Sequence, residues 1–178
     1  MDLEYFVEPV FKIDFLKIKC NDWKNKKTNL KTTMDQFAEI GRKEYFYSNR
    51  DSCTLDHNSL SLLIPKEIEL LEKAYGKIDV TSVWSASYGP GQFHPPHNHG
   101  SEGYAAIMYL DYLPDHSPTI YIQPWNDDKG KTVLFKPPVE EGDIVVAPKF
   151  ITHYTEPSKM QEPKRIIGFD FLVHKEVK

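Results

Sequence analysis

Residues 142–153 read Gly142-Asp143-Ile144-Val145-Val146-Ala147-Pro148-Lys149-Phe150-Ile151-Thr152-His153. A glycine opens a turn, β-forming apolar residues follow, Pro148 stops the run, and a histidine stands just beyond it. The same grammar recurs on either side. Short apolar runs bounded by Gly, Pro or Asp cover Val80–Tyr88, Tyr104–Leu113, Thr119–Gln123, Thr132–Phe135, Asp143–Ala147 and Arg165–Val173. Eleven of the thirteen prolines lie between Pro90 and Pro163, so the turns concentrate in this same region. Six closely spaced strands with no helix between them predict a mainly β fold, an antiparallel sandwich of jelly-roll type.

Upstream the pattern changes. Ile64-Pro65-Lys66-Glu67 opens a helix, with Pro65 in the first turn and Gly76 at the end. Ile68, Leu71 and Tyr75 share one stripe of it. A second helix is expected over Leu30–Lys43, with Met34, Phe37 and Ile40 on one face. Phe11, Ile13 and Phe15 alternate with Lys12 and Asp14 as an early strand, and Arg50–Asn58 reads as loop. The expected organisation is one domain over 1–178. Residues 1–76 would form an N-terminal strand and helices that buttress the sheet, and 77–174 the jelly-roll core.

The chain has 178 residues, a net charge of −4 and 13% aromatic residues. That aromatic content excludes a disordered chain, and the acidic balance argues against a nucleic-acid binder. Lys12, Lys17, Lys19, Lys24, Lys26, Lys27 and Lys31 are interleaved with acids and read as a solvated face. Two cysteines, Cys20 and Cys53, are too few for a disulfide framework and read as reduced thiols. The start, MDLEYFVEPV, lacks the basic region of a signal peptide. No apolar run approaches the roughly 20 residues that span a membrane. A cytoplasmic protein without nucleic-acid or membrane partners is the expectation; oligomeric state is unreadable.

Three of the seven histidines fall within six residues: His94, His97 and His99. His97 and His99 are two apart and face the same way on an extended chain, with Cα atoms roughly 6.5–7 Å apart. Their rings can converge only where the strand is ending, and Gly100 provides that freedom. His153 is the candidate third ligand, brought across the mouth of the sandwich from the strand quoted at the outset. Imidazole suits iron, zinc, copper or nickel alike. His94 is a pocket or a packing residue. His57, His116 and His174 have no partner spacing and are expected at the surface. Arg165, twelve residues after His153, begins an apolar strand. Its planar fork suits a bidentate pair with a carboxylate beside the metal.

In order and spacing, these segments resemble the iron(II)/2-oxoglutarate-dependent dioxygenases, with the prolyl-hydroxylase-like branch nearest. The carrying text is Tyr88-Gly-Pro-Gly, His97-Asn-His99, Ile107-Met-Tyr109-Leu-Asp111, Thr119–Pro124, Gly142–Pro148, His153 and Arg165. The resemblance implies a double-stranded β-helix with iron(II) at its open mouth and 2-oxoglutarate as cosubstrate. It also implies an oxygenase that hydroxylates a C–H bond of a peptide or small molecule, a peptidyl proline among the candidates. His97 and His153 would be metal ligands, Arg165 and Tyr109 would hold the distal carboxylate of 2-oxoglutarate, and Tyr88 would line its pocket. Trp84 and Trp125 would be core or pocket wall.

One position departs from the family pattern. Where the family has His-x-Asp or His-x-Glu, this chain has His99, so the ligand set becomes His97, His99 and His153. Glu102 and, more remotely, Asp111 are oxygen-donating alternatives. Two other readings stay open. A cupin-type three-histidine metalloenzyme would not use 2-oxoglutarate. A non-catalytic jelly-roll binding module would hold structural zinc, with His94 or Glu102 closing a fourth position.

Overall fold

The computed structural model describes residues 13–45, 48–53 and 55–174. In chain order its elements are β1 (Leu16–Lys19), α1 (Trp23–Gly41), β2 (Arg42–Tyr45), β3 (Ser48–Cys53), α2 (His57–Leu63) and α3 (Pro65–Tyr75). Then come β4 (Ile78–Tyr88), β5 (His94–His97), β6 (Tyr104–Asp111), β7 (Ile120–Asn126), β8 (Thr132–Phe135), β9 (Asp143–Pro148), β10 (His153–Thr155) and β11 (Lys164–Val173). They form a mainly β jelly roll of two antiparallel sheets. The larger runs β1-β9-β6-β11-β4-β3-β2 and the smaller β5-β10-β7-β8.

All six strands expected between 80 and 173 are present, with ends shifted by a few residues. The helix after Ile64 runs from Pro65 to Tyr75, and Gly76 ends it at φ +93°, a conformation that favours glycine. Three expectations are corrected. The second helix begins earlier, at Trp23. The first described strand is Leu16–Lys19 rather than the Phe11–Phe15 run; Phe11, Lys12 and the side chains of Phe37 and Ile40 lie outside the described part. Arg50–Asn58, read as loop, contains the end of β3 and the start of α2. Ser48–Cys53 is polar, so hydrophobic pattern could not reveal it; it is a strand because it pairs with β4.

The larger sheet is packed on both faces. Leu30, Met34, Leu60, Ile64, Ile68 and Leu71, from the helical layer, are buried against Val83, Ile167, Phe169 and Phe171 of the larger sheet. Ala86, Tyr88, Ile107, Tyr109, Val145 and Ile166 form a second core with Tyr121 of the smaller sheet. On β11 the two sets alternate. Ile167, Phe169 and Phe171 face the helices, and Ile166 faces the opposite way into the roll.

A buried ion pair ties α1 to α3. Glu67 is 1% exposed and accepts from Lys26 Nζ at 2.7 and 2.9 Å and from the Asn21 N–H at 2.9 Å. Burial pushes its carboxyl up, but these donors outweigh burial and hold it below the usual carboxylate value. The nearby Cys20 thiol is buried and pushed up to about 12, first by burial and then by Glu67, so it is an unreactive packing residue. Glu67→Ala would leave Lys26 without its counter-charge and should cost about 3–5 kcal/mol in urea unfolding at neutral pH. A carboxyl held below its unfolded value stabilises above that value and loses the contribution as pH falls through the folded one. The deficit of Glu67→Ala should therefore shrink in acid.

Candidate metal centre

The smaller sheet sets two imidazoles side by side, ring centroids 4.4 Å apart. His97 on β5 and His153 on β10 are directly opposed cross-strand partners, so their side chains leave the sheet on the same side. His153 is flanked on its other side by Tyr121 of β7. β5 ends at His97, and Gly100, at φ +108°, turns the chain. Between them the His99 N–H bonds the Lys149 carbonyl at 3.0 Å. This places the His99 ring against the larger sheet, where its Nδ1 meets Asp170 Oδ1 of β11 at 2.7 Å. One ligand-capable atom from each of His97, His99 and His153 lies within 4.8 Å of the others, and Nε2 of His97 and His99 are 3.3 Å apart. Two nitrogens bound at about 2.0–2.1 Å to one ion stand about 3 Å from each other, so the group can hold a metal ion.

The second nitrogen of each ring shows why the group is poised for this. His97 Nδ1 lies 2.9 Å from the Pro95 carbonyl, His153 Nδ1 lies 3.0 Å from the Ile151 carbonyl, and His99 Nδ1 faces the Asp170 carboxylate. Two carbonyls and an ionised carboxylate can only accept. In a neutral ring each Nδ1 must therefore carry the proton, which leaves each Nε2 a bare lone pair. His153 is 5% exposed. Burial, followed by the neighbouring His97, pushes it down to about 3, so it is neutral and competent to ligate at physiological pH.

The histidines line an open cleft with Trp84, Tyr88, His94, Ile107, Thr119, Tyr154, Thr155 and Ile166. His94 stacks on His97, ring centroids 4.1 Å apart, and its Nδ1 lies 3.3 Å from the Tyr88 hydroxyl. Trp84 meets His99 edge-on at 5.0 Å. The indole occupies space that any side chain at residue 168 would fill, since a Cβ on Gly168 would lie 2.3 Å from it. Tyr109 is fully buried, and its hydroxyl accepts from the Thr119 N–H at 3.1 Å.

Arg165 is not brought to this cleft. It faces the helical layer, where its guanidinium pairs with Asp35 of α1 at 2.7 Å and approaches Asp111 at 4.0 Å. Asp111 is itself taken by Lys27 and Lys31, and Glu102 lies exposed in a separate groove with Ser101, Tyr104 and Phe150, so neither joins the histidines. His116, expected at the surface, is 5% exposed and bridges the Leu113 N–H and the Glu162 carbonyl. Trp125 is 40% exposed and lines an apolar groove with Phe15 and Phe135.

The strand period places Lys164, not Arg165, on the inner side. Lys164 is 3% exposed and donates to the Thr155 hydroxyl at 2.6 Å and the Ser117 carbonyl at 2.8 Å. Its ammonium lies over the Tyr88 ring, 4.7 Å from the centroid. Burial pushes it down to about 7, and among the described residues no carboxylate lies within 4 Å of it. Sequence reasoning missed Lys164, Asp170 and Tyr121. For the first two the alternation Lys164, Ile166, Gly168, Asp170 held the signal: with Ile166 inside, its even-numbered neighbours are inside too.

No family model matches the chain, and no curated protein matches it significantly in sequence. Solved structures do resemble it. The non-heme α-ketoglutarate-dependent epimerase SnoN of nogalamycin biosynthesis aligns over 89% of this chain and 77% of its own, with TM-score 0.71 and 10% identity. The viral collagen prolyl hydroxylase of Paramecium bursaria Chlorella virus-1, a 2-oxoglutarate complex, aligns over 90% of this chain and 96% of its own, with TM-score 0.62 and 15% identity. HygX from Streptomyces hygroscopicus, with nickel and 2-oxoglutarate bound, aligns over 89% and 82%, with TM-score 0.65 and 12% identity. The chain therefore has the jelly-roll fold shared by the 2-oxoglutarate-dependent, non-heme metal enzymes.

His153→Ala and His97→Ala should each abolish stoichiometric zinc or nickel binding by the chelator-stripped protein, read by metal analysis after gel filtration. His116→Ala should lower the melting temperature and leave metal binding intact.

Proposed function

We propose that this protein is an iron(II)- and 2-oxoglutarate-dependent oxygenase that hydroxylates a substrate C–H bond. The observation that carries the reading is the convergence of His97, His99 and His153 in a cleft with a buried lysine at its margin. The donors fit both groups. Three Nε2 lone pairs suit a first-row divalent ion. Among the described residues, the buried Lys164 ammonium has no counter-charge within 4 Å and the buried Tyr121 hydroxyl has no hydrogen-bond partner. A dicarboxylate would satisfy such donors, and the nickel and 2-oxoglutarate complex of HygX supports this cosubstrate. Iron(II) and 2-oxoglutarate would supply the oxidising power: substrate R–H, dioxygen and 2-oxoglutarate would give R–OH, succinate and carbon dioxide.

The chain's own residues do the rest. His97, His99 and His153 would hold the ion through their Nε2 atoms. In place of Arg165, Lys164 would pair with the distal carboxylate of the cosubstrate, its ammonium directed by the Thr155 hydroxyl. Trp84, Ile107 and Ile166 form apolar wall, which strengthens that charge pair by excluding water. Tyr88 and His94 sit at the same cleft and are placed to orient substrate or cosubstrate. The likeness to the viral collagen prolyl hydroxylase supports a peptidyl proline as the first substrate class to test. A cupin-type metalloenzyme without 2-oxoglutarate would leave Lys164 buried with no carboxylate among the described residues to meet it.

Lys164→Ala should weaken 2-oxoglutarate binding at least tenfold and spare the metal. Arg165→Ala should leave cosubstrate affinity unchanged, and equal effects of the two would overturn the assignment. Binding is read as the absorption change on anaerobic addition of 2-oxoglutarate to the iron(II) protein, and turnover as succinate released with proline-rich peptides. The pH dependence has a definite sign. With Lys164 at about 7 when folded against an ordinary 10.5, the ammonium form that binds a carboxylate is lost as pH rises above 7. Cosubstrate affinity should fall above that pH, with a proton taken up on binding.

A further inference from the structure

Three neutral imidazoles give a divalent ion no negative charge, whereas two histidines and a carboxylate give it one. The structure holds a carboxylate one residue further out. Asp170, 8% exposed on the inner side of β11, is the acceptor for His99 Nδ1 at 2.7 Å. Its other oxygen lies 3.5 Å from Lys149 Nζ, and the backbone of residue 149 accepts the His99 N–H. The His99 ring is thus gripped at its backbone and at Nδ1 by neighbouring groups, and Trp84 packs against its edge. The other two histidines have backbone carbonyls as acceptors; the charged one serves the ring that stands where a carboxylate ligand would otherwise be.

We propose that Asp170 is the positioning residue of the metal centre. It fixes His99 with Nε2 toward the ion, and it supplies through the imidazole the negative charge that a directly bound carboxylate would bring. The proposal rests on the metal-site reading above. A carboxylate accepting from Nδ1–H raises the basicity of the ligating nitrogen, and here it sets a negative charge behind His99 that Lys149, 3.5 Å from its other oxygen, partly offsets. The charge is displaced outward by the width of one ring.

The test measures zinc affinity of the chelator-stripped protein by competition with a chromophoric chelator. Asp170→Asn should loosen zinc by about 10–100-fold, with the melting temperature of the metal-free protein unchanged. The same substitution in a His99→Asp background should leave affinity unchanged or tighten it. There the ligand already carries the charge, and a second carboxylate beside it only repels. A merely structural role for Asp170 would weaken zinc in both backgrounds, and that result overturns the proposal. Unchanged affinity in Asp170→Asn, while His97→Ala loses zinc, overturns it alone. Failure of the parent protein to bind zinc or nickel overturns the metal site itself and the proposal with it.

Discussion

β11 runs through the middle of the larger sheet, and its two-residue period is the constraint from which the rest follows. A strand in that place must satisfy both faces at once. Phe169 and Phe171 are fully buried in the helix-side core, and Ile167 joins them. The alternate residues, Lys164, Ile166, Gly168 and Asp170, face into the roll. The polar two bracket the cleft: Lys164 at one end beside Thr155 and Tyr88, and Asp170 at the other beside His99. Gly168, between them, makes room for Trp84. Shifting this register by one residue would turn three aromatic or aliphatic side chains into the cleft and bury Arg165 where Lys164 stands.

The two sheets contribute unequal things to the centre. The smaller sheet supplies alignment, because His97 and His153 are paired across adjacent strands and cannot face apart while that pairing holds. The larger sheet supplies polarity through Asp170. The Nδ1 of each of the three rings faces an acceptor, so each ring is oriented with Nε2 toward the shared centre before any ion arrives. Such prior ordering reduces what metal binding must spend on fixing side chains.

Much of this was legible in the chain. The Gly-bounded apolar runs mark the strands because strands buried within a sandwich must be apolar and short, and turns must be made of Gly, Pro and Asp. The His97-x-His99 pair and His153 stand out because ring nitrogens at such spacing have few uses. Arg165 misled because an arginine at a strand start and a lysine one residue earlier carry the same charge. Only the face decides between them, and the face of a strand end depends on pairing with β4 and β6. His116 misled in another way: its partners are Leu113, which is near, and Glu162, which is far along the chain.

The amino-acid sequence by itself determined the local matters: that the apolar runs between 80 and 173 are strands, where α3 starts and stops, and which residue types can hold a metal. These depend on backbone propensity and on side-chain chemistry, and both are properties of a few adjacent residues. Only the tertiary structure decided which cation is buried beside the cleft, that Asp170 backs His99, and that a polar segment such as Ser48–Cys53 becomes a strand. Those outcomes depend on contacts between residues tens of positions apart, whose burial and register do not exist until the sheets have closed.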